Sequence, residues 1–533
     1  MATTMDRSSN EMIKGAAILT IAAIFSKILS ALYRVPFQNI VGDTGFYIYQ
    51  QVYPFYGIML ALCTYAFPVM ISKIIAEKRL IDSKKEVMRV LKLSFLFLTV
   101  VGVGWFMFLR FGAETIALWM GDRSLAPLIS LMAYPFLLLP ILSASKGWFQ
   151  AHQNMVPSAF SQALEQLVRV VAILGFSIGL MSIEASLYDV GKGAVFGSVV
   201  GAIAGVVILM IYMKKQGFTI LMLRTFTVKR SDWRIFKQLT ITGSAIGMGS
   251  MMLVLYQLMD ALNVYALLVS NGMGEEEAKV VKGVYDRGQP LVQMGVVVAT
   301  SLSLTIVPMV TAAFQKQQIE VVIEKARLAL KIALLFGGAA AVGLMNIIKP
   351  LNIMLFQDAV DSEMLAVYVF AVLFASIILS VSAVLQGMGD FHFAAWAIVV
   401  SLAIKYGANQ LLVPRFETLG AAVATLIALL FVLIVVMWRL RKKVGFLLDR
   451  LFYLRLVTGL IGMTLALQFL FVILLPFDWT SSRTFSSLIT LIGVVIGAWL
   501  FFYLTWRKGL FTTKEVGQIP LGKKLERMFG EIN

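Results

Sequence analysis

Long apolar segments, separated by short polar connections, recur along the whole chain. Each is about 20 residues or longer, the length at which a helix crosses roughly 30 Å of hydrocarbon. In lipid the backbone must satisfy its own hydrogen bonds, so such segments are expected to be helical. The pattern predicts fourteen transmembrane helices, which we number one to fourteen, at residues 13–35, 46–76, 88–110, 126–149, 157–181, 190–213, 236–270, 284–314, 328–348, 363–387, 392–413, 418–438, 453–476 and 484–506.

The second half of this pattern resembles the first. In segments two and eight a Tyr precedes a Pro by five residues and a second Pro follows, at Pro54 and Pro68 and at Pro290 and Pro308. Similar matches join segments four and ten, and segments six and twelve. An offset of six segments keeps both halves in the same orientation, as in parallel repeats. We predict an all-α protein with two pseudo-symmetric six-helix lobes, two further helices and a tail, at residues 1–215, 230–445, 450–508 and 509–533.

Composition and charge agree with a membrane protein. Of 533 residues 59% are hydrophobic and 14% charged, and the mean hydropathy is +0.85. The net charge of +17 could indicate a nucleic-acid partner, but Lys and Arg are spread over alternate connections, mainly after segments two, six and twelve. This distribution places both termini and the tail in the cytoplasm. We therefore expect a multi-pass protein of the cell membrane and no nucleic-acid partner.

Segment one contains two cations in the stretch "FSKILSALYRVPF". Lys27 and Arg34 are two helical turns apart with Ser30 between them, so the three share one face. Central cations would cost about 5–7 kcal/mol on insertion scales, which nearly offsets the apolar gain of this segment. A structural explanation is that Arg34 extends to the headgroups and Lys27 pairs with a distant acid. The functional explanation is that all three residues bind an anionic substrate.

Segment eight opens with "VYDRGQP", which places Asp286 next to Arg287. Local pairing at the membrane interface would explain these charges. Alternatively, if the lobes face each other, Arg287 and Arg34 meet in the outer half of the cleft. Guanidinium groups bind phosphate or pyrophosphate through paired hydrogen bonds, and they do not lose their charge.

Asp260 in segment seven is an intramembrane carboxylate and therefore a functional candidate. It could be a counter-ion to these cations, a proton or sodium site, or one half of a buried structural pair. Glu165 and Arg169 stand at i and i+4 in segment five, and this spacing favours a structural ion pair. Lys405 in segment eleven is a weaker candidate.

The sequence also excludes several chemistries. It has no Gly-rich phosphate loop with Lys, no HExxH and no CxxC, so neither an ATP-driven pump nor a metal enzyme is indicated. Cys63 is the single cysteine, which excludes an intrachain disulfide. We expect no cofactor, no metal and no catalytic residue. Energy would come from the membrane potential, from an H⁺ or Na⁺ gradient, or from coupling to the substrate. The four prolines of segments two and eight are expected to bend these helices and to serve a gate.

Residues 14–73, which include "SKILSALYRVPFQNIVGDTGFYIYQQVYPFYGIML", resemble the polysaccharide-transporter branch of the multidrug, oligosaccharidyl-lipid and polysaccharide (MOP) exporter superfamily. The chain is most similar there to the Firmicute stage V sporulation protein B and lipid II flippase group, and the resemblance covers nearly the whole chain. It implies a V-shaped cavity lined by Arg34 and Arg287, and a groove at segments thirteen and fourteen for a lipid tail. Segment two departs from the Gram-negative pattern, which has Asp and Arg where this chain has the uncharged "YIYQQVYPFYGIML".

The resemblance implies a flippase of the bacterial cell membrane. Its cargo would be an undecaprenyl-pyrophosphate-linked saccharide, with the peptidoglycan precursor lipid II as the leading choice, moved to the outer leaflet by alternating access. Expected partners are this substrate, membrane lipids and cell-wall synthesis proteins. Four alternatives stay open: a transporter of another lipid-linked polysaccharide, a cation-coupled drug antiporter, a membrane-embedded enzyme, and a non-transporting partner of wall-synthesis or sporulation complexes. The cations argue against an antiporter, whereas Asp260 favours one.

Overall fold

The structure, a computed structural model, describes residues 18–79, 84–217, 228–445, 448–474, 480, 482–510 and 515. Within these residues all regular structure is helical. Twelve of the described helical stretches are long and apolar enough to cross a membrane. The predicted all-α, multi-pass architecture is therefore confirmed. Residues 1–17 and most of the predicted tail lie outside the described residues, and the cytoplasmic location of the termini stays a prediction.

The described part of the chain has twelve long helical stretches where the sequence predicts fourteen segments. The difference arises because, in two places, neighbouring segments join without a loop between them. Ile18–Arg79 covers segments one and two, and Phe391–Val444 covers segments eleven and twelve. The backbone leaves the helical conformation at Gly42, with φ 68°, and at Glu417, with φ 50°. Glycine adopts positive φ without steric cost, which suits it to the first break. A break of one residue separates two apolar segments without a loop between them.

The described residues fall into two compact units. Unit 1 contains the described residues up to Asp286 and Phe391–Ala424, and unit 2 contains Arg287–Asp390 and the described residues from Thr425 onward. The two units reflect which residues pack together, and this does not test whether the two halves of the chain repeat each other. The two predicted six-helix lobes and their boundaries therefore stay a prediction.

The described residues of unit 1 form eleven α-helices and the first part of a twelfth. Two π-helical turns, Leu62–Ala66 and Gln238–Gly243, precede the third and tenth of them. The helices are α1 (18–32), α2 (Arg34–Ala61), α3 (Phe67–Arg79), α4 (Lys84–Trp119), α5 (Ala126–Leu131), α6 (Leu139–Ala151), α7 (Val156–Ser182), α8 (Leu187–Lys215), α9 (Trp233–Lys237), α10 (Ser244–Ser270), α11 (Glu275–Asp286) and the N-terminal part of α17 (Phe391–Val444).

In its described part, unit 2 contains the C-terminal part of α17 and seven further α-helices. Its longest continuous element, α14, ends at Gln357 with φ 74°, the left-handed conformation that commonly terminates helices. The helices are α12 (Gly288–Gly295), α13 (Val297–Gln315), α14 (Ile319–Phe356), α15 (Ser362–Tyr368), α16 (Ala371–Gly387), α18 (Arg450–Leu474) and α19 (Arg483–Arg507).

The four prolines occupy two kinds of position. Pro68 directly follows the π-helical turn Leu62–Ala66, and Pro290 lies just after the interruption between α11 and α12. Because proline has no N–H, the carbonyl four residues earlier loses its helical partner, which favours such irregularities. Pro54 and Pro308 instead lie inside α2 and α13, where the helix continues through them. The irregular backbone that was predicted is thus found near two prolines, and a gating role for all four stays a prediction.

Candidate functional site

A row of tyrosines follows one face of α2. Tyr49, Tyr53 and Tyr56 are four and three residues apart, so they are neighbours on the helix surface. Tyr33 joins them from the residue before the helix, with its hydroxyl 2.9 Å from that of Tyr49. All four side chains are buried. We refer to Tyr33, Tyr49, Tyr53 and Tyr56 as the tyrosine cluster.

Arg34 lies against this cluster. Its side chain is 0% exposed, and its Cζ is 4.3 Å from the centroid of the Tyr53 ring, a cation–π distance. The Tyr33 hydroxyl is close to it. Nevertheless, among the described residues none accepts a hydrogen bond from its Nε, Nη1 or Nη2. Arg34 therefore does not extend to the headgroups, and that structural alternative is wrong.

A second guanidinium, that of Arg169 in α7, is buried in the same cluster. Its Cζ is 4.8 Å from the Tyr56 centroid, 5.4 Å from that of Tyr33 and 6.0 Å from that of Tyr53. Nη2 donates a hydrogen bond to Ser30 Oγ at 3.2 Å. Nε and Nη1 have no acceptor in the described part of the chain. Two arginines thus share one aromatic environment.

Glu165 does not pair with Arg169, so the predicted i, i+4 ion pair is wrong. Glu165 Oε2 lies 3.8 Å from Lys146 Nζ of α6, and Oε1 accepts a hydrogen bond of 3.2 Å from the Tyr56 hydroxyl. The Glu165 and Lys146 side chains are each 2% exposed. The helical spacing allows the predicted pair, but a cation from a neighbouring helix competes successfully for the carboxylate. Arg169 consequently keeps a charge that Glu165 does not neutralise.

Close packing of α7 on α8 positions Glu165 and Arg169. Gly197, Gly201 and Gly205 recur every four residues on α8, the spacing of small residues at helix contacts in membranes. A Cβ on Gly201 would lie 2.6 Å from Arg169 Cβ, and one on Gly205 would lie 3.0 Å from Glu165 Oε2. Larger residues would push the two helices apart, so these glycines fix the backbone that carries both charges.

Lys27 and Ser30, predicted to share a polar face with Arg34, differ in environment. Ser30 is buried and accepts the hydrogen bond from Arg169. Lys27 is partly exposed, and its Nζ is 5.9 Å from the centroid of the Tyr65 ring. Among the described residues no ion pair forms at Lys27, so the expected distant acid is not found there. Substrate binding by Lys27 and Ser30 stays a prediction.

The guanidinium of Arg287 is already occupied. The side chain is 0% exposed; Nη1 and Nη2 donate to the two carboxylate oxygens of Asp358 at 2.6 and 2.8 Å, and Nη1 also donates to Asn352 at 3.2 Å. Burial disfavours ionisation of Asp358, but the hydrogen bonds from Arg287 and from a backbone N–H hold its pKa below the ordinary value. Arg287 is therefore paired, but with the sequence-distant Asp358 rather than with the adjacent Asp286. Contact of Arg287 with Arg34 and with substrate stays a prediction.

Asp260 forms a buried ion pair with Lys405. Its Oδ1 is 2.7 Å from Lys405 Nζ, and the two side chains are 1% and 0% exposed. Tyr285 donates to Oδ2 at 2.8 Å, and Asn409 donates to Oδ1 at 3.0 Å. Among the possibilities for Asp260, the structure has the buried pair, and its counter-ion in unit 1 is Lys405 rather than Arg34. A role in ion coupling stays a prediction.

Asp286 belongs to a second buried pair. Its Oδ1 is 2.7 Å from Lys282 Nζ, one helical turn earlier on α11, with exposures of 1% and 2%. Its counter-ion is therefore Lys282.

The described residues contain no group of three or more His, Cys, Asp or Glu side chains that could hold a metal ion.

Sequence reasoning missed Arg169, Lys146 and Asp358 as functional candidates. Arg169 gave the same signal as Arg34, a cation within an apolar segment, but the assumed pair with Glu165 concealed it. Three of the four tyrosines of the cluster lie in "YIYQQVYPFY" at 47–56, where their spacing of four and three residues is the signal that could have revealed it. Asp358 gave no local signal, because its partner is 71 residues away along the chain.

These buried cations lie in a helical fold that known transporters share. The solved structure of "Lipid II flippase MurJ, inward closed conformation" matches with a TM-score of 0.62 at 14% identity, covering 92% of this chain and 98% of that chain. A multidrug transporter of the MOP superfamily has a similar fold. The fold and the apolar spans define a multi-pass protein of the bacterial cell membrane that shares the fold of these transporters.

The family profile described as "Polysaccharide biosynthesis protein" matches residues 12–314. The chain belongs to this family, within the MOP exporter superfamily. It is 41% identical over 527 residues to "Uncharacterized membrane protein YabM" of Bacillus subtilis (strain 168), covering 96% of each chain. It is 22% identical over 543 residues to "Lipid II flippase MurJ" of the same organism, covering 98% of each chain. The predicted family is confirmed.

Proposed function

We propose that this protein flips an undecaprenyl-pyrophosphate-linked saccharide from the inner to the outer leaflet by alternating access, and that lipid II is its cargo. The observation that carries the proposal is the Arg34 guanidinium, which is fully buried and makes no hydrogen bond through Nε, Nη1 or Nη2 within the described residues. A buried cation without an acceptor is costly. A diphosphate would supply both negative charge and paired acceptors. Similarity to the MurJ flippase supports the choice of cargo.

The transport cycle would draw on the membrane potential or on an H⁺ or Na⁺ gradient. A cation-coupled drug antiporter is less well supported, because it needs buried carboxylates that accept cations from outside the protein. The buried carboxylates of Asp260, Asp286 and Glu165 each face a lysine of the same unit. Membrane lipids and the lipid-linked substrate are the partners that this proposal requires, and contact with cell-wall synthesis proteins is part of the proposal.

The test is rescue of a bacterium depleted of its own lipid II flippase. Growth and lipid II exposed on the outer leaflet are measured for wild type, Arg34→Ala and Arg34→Lys, after equal membrane insertion is verified. Arg110→Ala is the control, because it removes one cation from an exposed position of α4. We expect rescue by wild type and Arg110→Ala, none by Arg34→Ala, and partial rescue by Arg34→Lys, which keeps the charge without the planar fork.

Two results would contradict the proposal in different ways. Wild type that inserts normally but exposes no lipid II would exclude this cargo, and other lipid-linked glycans would be tested next. Full activity of Arg34→Ala would show that the buried guanidinium does not bind the substrate.

A further inference from the structure

We infer that Arg34 and Arg169 together form a two-cation seat for a diphosphate, built within unit 1 alone. The inference rests on the proposed function for the identity of the ligand. It adds Arg169, which the sequence assigned to a structural pair, as a residue that contacts the substrate. The ligand class is a diphosphate monoester or diester, as found in a lipid-linked pyrophosphate headgroup.

The first step is the charge balance around the tyrosine cluster. Arg34 and Arg169 are both 0% exposed, and five of their six guanidinium nitrogens have no hydrogen-bond acceptor among the described residues. The carboxylate one turn away on α7, Glu165, faces Lys146 instead. Two positive charges therefore lie against the same tyrosine cluster, and neither forms an ion pair within the described residues.

The second step is the shared geometry. Tyr53 is near both cations, with its ring centroid 4.3 Å from Arg34 Cζ and 6.0 Å from Arg169 Cζ. The Tyr53 and Tyr56 hydroxyls lie close to Arg169 but do not accept from its Nε or Nη1. Aromatic rings stabilise guanidinium charge without using its N–H groups. The donors consequently remain available for phosphate oxygens, and two phosphoryl groups match two guanidinium forks.

The third step concerns the free energy that it costs to bury both guanidinium groups. Cation–π contact only partly offsets the desolvation of two like charges. A purely structural core would favour an apolar residue of the same length at position 169, whereas a binding site retains the costly charge for its ligand. Because both guanidiniums are inaccessible in this conformation, the ligand reaches them when the covering helices separate, a motion that alternating access supplies.

The experiment measures binding to the purified full-length protein in detergent. The probes are inorganic pyrophosphate, undecaprenyl pyrophosphate and orthophosphate, and the variants are Arg169→Met, Arg169→Lys and Arg34→Met. Arg110→Met is the matched control, because it removes the same charge from an exposed site. Dissociation constants come from calorimetry, and thermal unfolding of each unliganded variant is recorded in parallel.

We expect pyrophosphate in free or lipid-linked form to bind wild type and the control equally. Each Met variant should bind about 10- to 100-fold more weakly, the range that loss of a charge-assisted hydrogen bond produces. Arg169→Lys should bind with intermediate affinity. The unliganded Arg169→Met protein should unfold at the same or a higher temperature, which a purely structural Arg169 would not allow.

Three results would overturn the inference: binding of neither pyrophosphate by wild type, binding by Arg169→Met within about twofold of wild type, or equally tight binding of orthophosphate. Failure of the wild type to rescue lipid II flipping, with Arg169-dependent pyrophosphate binding intact, would instead refute only the proposed cargo. Binding of the lipid-linked probe alone, lost in the Met variants, would support a seat that also requires the tail.

Discussion

The buried pair of Asp260 and Lys405 can be tested by a double-mutant cycle. We expect Asp260→Asn and Lys405→Met each to destabilise the protein strongly, and the double variant to recover most of the loss. The atoms of the pair are 2.7 Å apart, and the two side chains are 1% and 0% exposed. Each single substitution therefore leaves one charge out of reach of water and without its counter-ion.

The expected magnitude follows from this burial. Removing one partner of a buried ion pair costs about 3–5 kcal/mol. Lys405→Met should lie near the lower end, because Tyr285 and Asn409 still donate to the remaining carboxylate. The double variant carries no charge and should lose only about 1–2 kcal/mol, the value of an incompletely replaced hydrogen bond. The coupling free energy between the two positions should thus exceed about 3 kcal/mol.

The assay is SDS-induced unfolding of the purified protein in detergent micelles, followed by tryptophan fluorescence. The matched control is a double-mutant cycle on the ion pair of Asp189 and Lys192. The charged atoms of this pair are 2.8 Å apart, nearly the same distance, but the side chains are 51% and 42% exposed. Its coupling should stay below about 1 kcal/mol. Single losses below about 1 kcal/mol at Asp260 and Lys405, or a double variant equal to their sum, would refute the buried pair.

Two further substitutions test the second unit and the packing of α8. Asp358→Ala removes two hydrogen bonds from Arg287 but keeps the one to Asn352, and water can take the place of the carboxylate because Asp358 is 39% exposed. Exposed lipid II in the rescue assay should therefore stay near the wild-type level for Asp358→Ala, whereas Arg287→Ala should abolish it. Equal losses would assign the pair to structure alone. Gly201→Val places atoms inside α7 and should cost about 3 kcal/mol, the upper end of the usual range for overpacking, so little folded protein should be recovered. Gly175→Val, with nothing within 4 Å of its Cβ, should be tolerated. A monodisperse Gly201→Val protein on size exclusion would contradict the packing.

Hydropathy was sufficient to predict the helical membrane fold, because burial in lipid acts on each segment separately. It could not predict that segments one and two, or eleven and twelve, would form continuous stretches. The breaks at Gly42 and Glu417 are changes of backbone conformation at single residues. Such changes leave the average polarity of the flanking segments unchanged.

The candidate site was predictable where one residue carried the signal. Arg34 and Asp260 are charged residues within apolar segments. Because burying a charge in a membrane costs free energy, both could be recognised as functional candidates from the sequence. Their surroundings depend on tertiary contacts that spacing does not encode. For Glu165, the i, i+4 rule indicated Arg169, but Lys146 approaches from another helix and takes that place.

The two guanidiniums of the tyrosine cluster also have an electrical consequence. One elementary charge that crosses a potential of 100 mV changes in energy by about 2.3 kcal/mol. Any rearrangement that moves Arg34 and Arg169 along the membrane normal therefore performs electrical work, and a negative cell interior pulls both charges inward. A diphosphate bound between them would cancel most of that work. The resting voltage would then drive the return of the unloaded protein and leave the loaded step nearly independent of voltage.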